Sequence, residues 1–196
     1  YNNPAIILAD GIIGQMMEKV VLPPFRPRRT EEEIRKQMPW ATQGKLAGHK
    51  RNVITSLELD PAIMEENNIR FQAKYRKIEE AEVRYEEIGC ENADYLMIAF
   101  GSMARICLKT QEMALAEGIK VGVLRPITLW PFPSKIIAEY ANKVKGMISV
   151  ELNAGQMVED IRLAVNGKVK VEHFGRLGGI VPTPDEVLNA LKQKLM

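Results

Sequence analysis

Cysteine, histidine and net charge are all scarce in this sequence, and each shortage excludes a class of function. Cys90 and Cys107 are the two cysteines among 196 residues, and no CxxC pair occurs. The pattern argues against a disulfide framework, a zinc site or an iron–sulfur cluster held by this chain. A formal net charge of +2 indicates neither nucleic acid nor a membrane surface as a partner. Few cysteines are typical of a reducing compartment, so we expect a cytoplasmic protein.

Long apolar runs and catalytic signature motifs are also missing. A membrane-spanning helix needs about 20 apolar residues, whereas the apolar runs here are strand-sized. The start does not resemble a signal peptide. The chain begins with Tyr1 rather than Met, which suggests a piece of a longer protein, although processing would look the same. No GxSxG elbow, Walker phosphate loop, GxGxxG turn or metal-ligand cluster occurs, so the sequence predicts no self-contained catalytic centre.

The two histidines form no catalytic pattern either. His173 lies inside a predicted strand, where a structural histidine is more common than a general base. His49 lies in a loop among glycines and cations, so a ligand contact stays open at that position.

A regular alternation of short apolar runs and helical segments begins at Ala93. Such alternation predicts right-handed crossovers and a three-layer α/β fold, in which helices cover both faces of a mostly parallel sheet. We assign residues 93–196 to this domain. A capping box at Thr183 and Glu186 marks its last helix. The strands are expected at residues 95–100, 119–124, 147–152 and 169–174, and the helices at residues 102–118, 134–145, 155–165 and from Pro184 onwards.

The first 21 residues predict one isolated βα unit. Residues 4–10 (PAIILAD) are typical of a strand that is buried on both faces, and residues 11–19 are typical of a helix. One such unit cannot bury itself, so it is either an edge of the later sheet or the end of a preceding domain. We favour the second interpretation, because a long connecting segment separates the unit from the other α/β units.

Residues 22–92 are expected to form this connecting segment. Three prolines in residues 22–29 (LPPFRPRR) predict an extended linker, although its arginines could instead bind phosphate. Thr30 and Glu33 form a capping box that predicts a short helix after them.

A long helix is predicted over residues 61–88. Asp60 followed by Pro61 is a strong start signal, and Gly89 is the expected C-cap. The helix should lie along a surface, because its apolar residues form only a narrow stripe. The stripe consists of Met64, Phe71, Ile78 and Tyr85.

Three loops at the ends of predicted strands form the candidate site, since ligand and partner surfaces gather at the carboxyl ends of parallel strands. The first loop, at residues 100–102, could seat an anion at a helix N-terminus or be a tight turn capped by Ser102. The second loop, at residues 125–133, presents aromatic residues between prolines, either as core packing or as a subunit interface. In the third loop, at residues 151–156, Glu151 is either a buried carboxylate bound to its own turn or an interface contact. The candidate residues are Gly101, Ser102, Arg125, Trp130, Pro131, Phe132, Pro133, Glu151, Asn153, Gly155 and Gln156.

The motifs AFGSMAR, GVLRPITLWPFP and VELNAGQM resemble the second domain of the alpha subunit of 2-oxoacid:ferredoxin oxidoreductases, a domain similar to the transketolase C-terminal domain. The opening motif ILADGIIGQMME resembles the end of the preceding domain, which contacts the pyrimidine of thiamine diphosphate. The segment RNVITSLELDPAIMEENN is most similar to the branched-chain type, which oxidises 3-methyl-2-oxobutanoate. The resemblance therefore covers nearly the whole chain.

The resemblance implies a reaction in which a 2-oxoacid, coenzyme A and oxidised ferredoxin give an acyl-CoA, carbon dioxide and reduced ferredoxin. It implies thiamine diphosphate, magnesium and iron–sulfur clusters on other parts of the complex, and no cofactor bound by this chain alone. The expected partners are a thiamine-binding beta subunit and a ferredoxin-type subunit, within an oligomer. No catalytic residue of the family falls on a position of this chain, and the pocket that selects the 2-oxoacid should lie elsewhere.

Two other classes of function stay open from the residues alone. The domain could be a non-catalytic α/β module for binding or assembly. Alternatively, the glycine-rich loop at residues 175–183, which carries Arg176, could cradle the phosphates of coenzyme A or a nucleotide, although it lacks the P-loop lysine spacing. We expect no tight binding of thiamine diphosphate, coenzyme A or NAD by this chain alone.

Overall fold

The computed structural model describes residues 1–41, 44, 48 and 50–196, and the prediction for His49 lies outside these residues. The chain divides into two compact units. One unit consists of Tyr1–Met16 together with Ala73–Met196, and the other is Met17–Gln72. All candidate site residues belong to the first unit.

A five-stranded sheet forms the centre of the first unit. Its strands are β1 (Tyr85–Ile88), β2 (Tyr95–Ile98), β3 (Val121–Pro126), β4 (Gly146–Glu151) and β5 (Lys170–Gly175). The spatial order is β1-β3-β2-β4-β5. The pairs β2–β3, β2–β4 and β4–β5 are parallel, whereas β1 is antiparallel to β3.

Helices cover both faces of this sheet, which confirms the predicted three-layer α/β fold. Residues of α4 (Gly101–Ala116) and α7 (Pro184–Leu195) pack on one face, and residues of α5 (Ser134–Tyr140) and α6 (Met157–Val165) pack on the other. The predicted helix at residues 134–145 is shorter than expected, because it ends at Tyr140. The helices of the described residues are α1 (Gly11–Gln15), α2 (Glu31–Gln37), α3 (Pro61–Ala81), α4 (Gly101–Ala116), α5 (Ser134–Tyr140), α6 (Met157–Val165) and α7 (Pro184–Leu195).

Alternate side chains of the central strands build two separate cores, because successive side chains of a strand point to opposite faces. In β2, Met97 packs with the α4 and α7 side, whereas Leu96 and Ile98 pack with the α5 and α6 side. In β4, Ile148 and Met147 divide in the same way. All five side chains are fully buried, which explains why these strands are continuous apolar runs in the sequence.

The predicted end of the long helix is wrong. Helix α3 ends at Ala81, and the residues after it turn into the edge strand β1. Pairing with β3 satisfies backbone groups that an unpaired edge would leave open, and it is fixed by Gln111, whose Nε2 donates to the carbonyls of Ile88 and Val121 at 2.8 Å each. Gly89, with φ of +63°, therefore follows a strand and does not cap a helix.

The helix starts predicted at Pro61, after Thr30 and after Thr183 are confirmed. Asp60 Oδ1 accepts a hydrogen bond from the Ala62 backbone N–H at 2.9 Å, one residue beyond Pro61. Complete capping boxes are present at Thr30 and Thr183. These helix starts could be predicted from the sequence, because each capping signal lies within a few residues of the helix that it starts.

The prediction of a strand at residues 4–10 is also wrong. These residues have no regular structure, and in the described part of the chain no strand pairs with them. An apolar run forms a strand only where a neighbouring strand supplies hydrogen-bond partners. The helix that follows ends at Gln15 and does not reach residue 19.

Candidate functional site

The three predicted loops do lie together, at the carboxyl ends of β2, β3 and β4. They line a cavity of about 1330 Å³ and a smaller adjoining one of about 150 Å³. Residues 1–10 line the larger cavity as well. The sequence did not indicate this, because these residues lie far along the chain from the three loops. Of the candidate residues, the larger cavity is lined by Gly101, Ser102, Arg125, Trp130, Pro131, Glu151 and Asn153, and the smaller one adds Phe132 and Gln156, whereas Pro133 and Gly155 line neither.

Glu151 is the most buried charged residue of this edge, with 2% of its surface exposed. Its carboxylate ends β4 and faces the N-terminus of α6. Oε1 accepts hydrogen bonds from the Ser149 hydroxyl at 2.6 Å and from the Val158 N–H at 3.0 Å. Oε2 accepts from the N–H groups of Gln156 at 3.1 Å and Met157 at 2.9 Å. The first turn of α6 is therefore satisfied by the residue that ends the preceding strand.

The pKa of Glu151 is determined by two opposing effects. Burial alone would raise the pKa, but the Ser149 hydroxyl and the three backbone N–H groups favour the ionised form more strongly, so the net shift is downward. The carboxylate is thus ionised and fully engaged within the fold. The structure supports the interpretation of Glu151 as a buried carboxylate bound to its own turn.

The turn after Glu151 is tightly built. Asn153 Oδ1 accepts a hydrogen bond from the Gly155 N–H at 2.7 Å. Gly155 has φ of +110°, and a Cβ at that position would lie 3.1 Å from Val158 Cγ1. Only glycine meets both conditions without strain.

His173 packs beside this turn, at the carboxyl end of β5. Its Nε2 is buried, makes no hydrogen bond and lies 3.9 Å from Glu151 Oε1. A Cβ at Gly175 would lie 2.6 Å from the imidazole Cε1, so the ring is held closely by backbone. This packing supports the prediction of a structural histidine.

The turn between β2 and α4 differs from its prediction. Phe100 is the N-cap of α4, without a side-chain hydrogen bond, and Ser102 lies inside the first turn, so Ser102 is not the cap. Its backbone N–H instead donates to Asp10 Oδ2 at 3.2 Å, while Asp10 Oδ1 accepts from the Ile13 N–H at 2.8 Å. The anion expected at this helix N-terminus is thus a carboxylate of the chain itself.

The Ile13 N–H is the main cause of a lowered pKa at Asp10, and Ser102 adds to it. The Ser102 hydroxyl is buried and makes no hydrogen bond of regular geometry, yet it is near enough to favour the ionised carboxylate.

The loop after β3 contains one exposed and one half-buried aromatic side chain. Trp130 is 53% exposed and packs edge-on against Tyr75, with 5.7 Å between ring centroids. Phe132 packs against the core on the α5 and α6 side. Arg125 Nη1 forms an ion pair with Glu86 Oε2 at 2.8 Å across the β1–β3 pair. Phe132 therefore agrees with the interpretation of the loop as core packing. Trp130 faces outward, as the interpretation of the loop as an interface requires.

In the glycine-rich loop after β5, Arg176 contacts other residues of the fold. Arg176 Nη1 contacts Glu186 Oε1 at 2.9 Å, and the Arg176 N–H donates to the Glu151 carbonyl at 3.3 Å. Both contacts tie the loop to its neighbours, and the ion pair leaves less of the guanidinium for a phosphate.

The two thiols are buried on different sides of the sheet. Cys90 belongs to the core beneath α5 and α6, and Cys107 to the core beneath α4 and α7. Burial raises the pKa of Cys90 to about 11, and it raises that of Cys107 as well. Among the described residues, no group of three or more His, Cys, Asp or Glu side chains is placed to hold a metal ion. Within that same part of the chain, no helix combines the length and apolarity needed to cross a membrane.

Comparison with known proteins gives a consistent set of relatives. Residues 93–187 match the family model of pyruvate:ferredoxin oxidoreductase core domain II. The ketoisovalerate oxidoreductase subunit VorB of Methanothermobacter thermautotrophicus is 43% identical over 98% of this chain and 53% of VorB. The 2-oxoglutarate synthase subunit KorA of Archaeoglobus fulgidus is 29% identical over 90% of this chain and 50% of KorA. The chain thus spans about half the length of these relatives.

Solved structures show the same relationship. A 2-oxoglutarate:ferredoxin oxidoreductase from Magnetococcus marinus, with 2-oxoglutarate, coenzyme A and succinyl-CoA bound, is 26% identical, with a TM-score of 0.62 over 71% of this chain and 24% of that chain. A split-gene transketolase, described as an inactive beta4 tetramer, has a TM-score of 0.50 and 20% identity over 57% of this chain and 41% of that chain. This second likeness concerns the fold alone.

Proposed function

We propose that this chain is part of an alpha-type subunit of a 2-oxoacid:ferredoxin oxidoreductase, because residues 93–187 match the family model of pyruvate:ferredoxin oxidoreductase core domain II and the chain is 43% identical to VorB. The proposed reaction converts a 2-oxoacid, coenzyme A and oxidised ferredoxin into an acyl-CoA, carbon dioxide and reduced ferredoxin. The observation that carries this proposal is the 43% identity to VorB over nearly the whole chain.

The proposed substrate is 3-methyl-2-oxobutanoate, also called ketoisovalerate. Two VorB subunits are 43% and 42% identical to this chain, whereas KorA subunits of 2-oxoglutarate synthases are 26% to 29% identical. Higher identity to the branched-chain type supports the branched-chain substrate. It also agrees with the similarity of residues 51–68 to that type.

Thiamine diphosphate, when bound in such a complex, supplies the carbanion stabilisation that decarboxylation needs, and iron–sulfur clusters accept the electrons. The residues of this chain do not fit a cluster, because Cys90 and Cys107 lie on opposite faces of the sheet and both thiols have raised pKa values. We therefore propose that thiamine diphosphate, magnesium and the clusters are held by other parts of the complex.

The proposed role of this part is structural: its strand-end loops face a neighbouring subunit. The charged groups at this edge of the sheet support a structural role, since Glu151, Asp10 and Arg125 all have partners within the chain. The neighbours we propose are a thiamine-binding beta subunit and a ferredoxin-type subunit, in an oligomer. The proposed domain limits are residues 1–21, 22–92 and 93–196.

The substrate is tested with the complete complex, by measuring coenzyme A-dependent reduction of ferredoxin. We expect the highest kcat/KM with 3-methyl-2-oxobutanoate, and lower values with 2-oxoglutarate and pyruvate. A higher kcat/KM with 2-oxoglutarate would contradict the proposed substrate, and a complex inactive with all three would contradict the proposed enzyme.

Trp130 is the residue that we propose as the interface anchor. Large aromatic side chains contribute much of the free energy of protein interfaces, and about half of this one is open to solvent. Replacing Trp130 by Ala in the full-length subunit should reduce co-purification with the beta subunit without unfolding the protein. Phe132→Ala is the matched control, because Phe132 packs into the core and its loss should lower the unfolding temperature.

An unchanged yield of complex with folded Trp130→Ala protein would show that Trp130 is not an anchor. Calorimetry with this chain alone addresses the rival function. We expect no tight binding of thiamine diphosphate, coenzyme A or NAD, whereas micromolar binding of coenzyme A would favour a stand-alone binding domain.

A further inference from the structure

Asp10 joins two parts of the chain that are 92 positions apart. One oxygen of its carboxylate accepts the Ile13 N–H at the start of α1, and the other accepts the Ser102 N–H in the first turn of α4. An anion is favoured there, because α4 has 16 residues and its aligned peptide dipoles place partial positive charge at the N-terminus.

Two further observations point to a carboxylate at this place. The Ser102 hydroxyl is buried, with only 6% of the residue surface exposed; it has no regular hydrogen-bond partner and favours the ionised form of Asp10. Gly101 has φ of +59°, and a Cβ there would lie 3.2 Å from Asp10 Oδ2 and 3.8 Å from Ile13 Cδ1. The turn is thus shaped to admit the carboxylate and the side chain of the segment that carries it.

The segment held by Asp10 has little support of its own. Residues 1–9 are exposed, and no strand pairs with them in the described residues. They nevertheless line the large cavity together with the strand-end loops. The position of this wall therefore depends on its attachment points, one of which is the partly buried Asp10.

We propose that Asp10 is a positioning residue whose carboxylate fastens Tyr1–Met16 to the N-terminus of α4 and so holds one wall of the cavity. The partner surface is the Gly101–Ser102 turn. The inference concerns contacts within the chain and does not depend on the proposed reaction.

Asp10→Asn is the test, with amide hydrogen exchange as the main measurement. Asparagine caps helices about as well as aspartate, so the Ile13 N–H keeps an acceptor. The new NH₂ group would face the Ser102 N–H, and the charge would be lost. We expect the Ser102 amide to exchange at least about tenfold faster, as for loss of a charge-assisted hydrogen bond, while amides of β4 exchange unchanged.

A second readout reports on the cavity wall. Trp130 lines the cavity, and Trp40→Phe leaves it as the single tryptophan of this chain. In that background, Asp10→Asn should make Trp130 fluorescence more accessible to acrylamide. Asp60→Asn is the matched control, because Asp60 also caps a helix but belongs to the other compact unit; it should change neither readout.

Equal exchange at Ser102 in the wild-type and Asp10→Asn proteins would overturn the proposal. So would protection of the Ser102 amide by inorganic phosphate in the wild-type protein, because the turn would then prefer a free anion to Asp10. If the proposed substrate or partner is wrong, these readouts stay unaffected. The tests of Asp10 and the tests of the proposed function are therefore distinguishable.

Discussion

Two strand-to-helix junctions of this protein place a carboxylate at a helix N-terminus, and they do so in different ways. At the junction of β4 and α6, Glu151 comes from the strand itself and accepts hydrogen bonds from residues five to seven positions later. At the junction of β2 and α4, Asp10 comes from 92 positions away. The same electrostatic attraction thus builds a turn in one case and joins two segments in the other.

The difference lies in burial and in the number of donors. Glu151 is 2% exposed and accepts four hydrogen bonds, whereas Asp10 is partly exposed and accepts two from backbone N–H groups. A buried ionised group is tolerated only when its hydrogen bonds are complete. We infer that Glu151 determines the stability of the fold and that Asp10 determines the position of one segment.

The largest expected effect is that of Glu151→Gln, which keeps the volume of the side chain. It removes the charge and turns one acceptor into an NH₂ donor that faces backbone N–H groups. Losing charged hydrogen bonds and leaving a buried donor unpaired should lower the free energy of unfolding by about 3 kcal/mol. Urea denaturation followed by circular dichroism measures the change.

Glu186→Gln is the matched control for this substitution. Glu186 belongs to an exposed capping box, in which glutamine is also accepted, and its ion pair with Arg176 is partly solvated. The expected loss is within about 1 kcal/mol. Equal losses for Glu151→Gln and Glu186→Gln would contradict the importance assigned to burial.

Features that depend on neighbouring residues could be predicted from the sequence. The capping boxes and the βα alternation from Ala93 onwards were predicted correctly, because both depend on residues close together in sequence. The strand-end position of Glu151 was visible for the same reason. Gathering of the candidate loops at one edge followed from the general geometry of parallel sheets.

Contacts that depend on distant residues were not predicted. The stretch at residues 85–88 has the periodicity of the preceding helix, yet it forms β1 because β3 offers an edge to pair with. Residues 4–10 have the composition of a buried strand but no strand beside them in the described residues. Likewise, no local pattern indicated that Asp10 would meet Ser102.

The second effect in size concerns Gly101, whose backbone lies in the left-handed region at φ of +59°. Gly101→Ala should lower the free energy of unfolding by about 2 kcal/mol, since left-handed backbone costs a residue with Cβ about 1 kcal/mol or more and the new Cβ would crowd Asp10. Gly118→Ala is the control, because Gly118 has φ of +79° and open space around its Cβ position.

The difference between these two alanine variants measures the crowding of Asp10. It should shrink when Asp10 is replaced by Gly, because the group that the new Cβ crowds is then absent. A double-mutant cycle of Gly101→Ala and Asp10→Gly gives this coupling. A coupling of zero would show that Gly101 is required for its backbone conformation alone.

The smallest expected effect is the pH dependence of the Asp10 contact. The folded-state pKa of Asp10 lies below its ordinary value of 3.8, so the contact is fully present above that value and is lost as the pH falls through the lower, folded-state pKa. Asp10→Asn cannot titrate. The ratio of Ser102 exchange rates, variant over wild type, should therefore stay constant above about pH 4 and fall towards one below it. A constant ratio would show that the contact does not need the charge of Asp10, and the two junctions would then differ in chemistry as well as in burial.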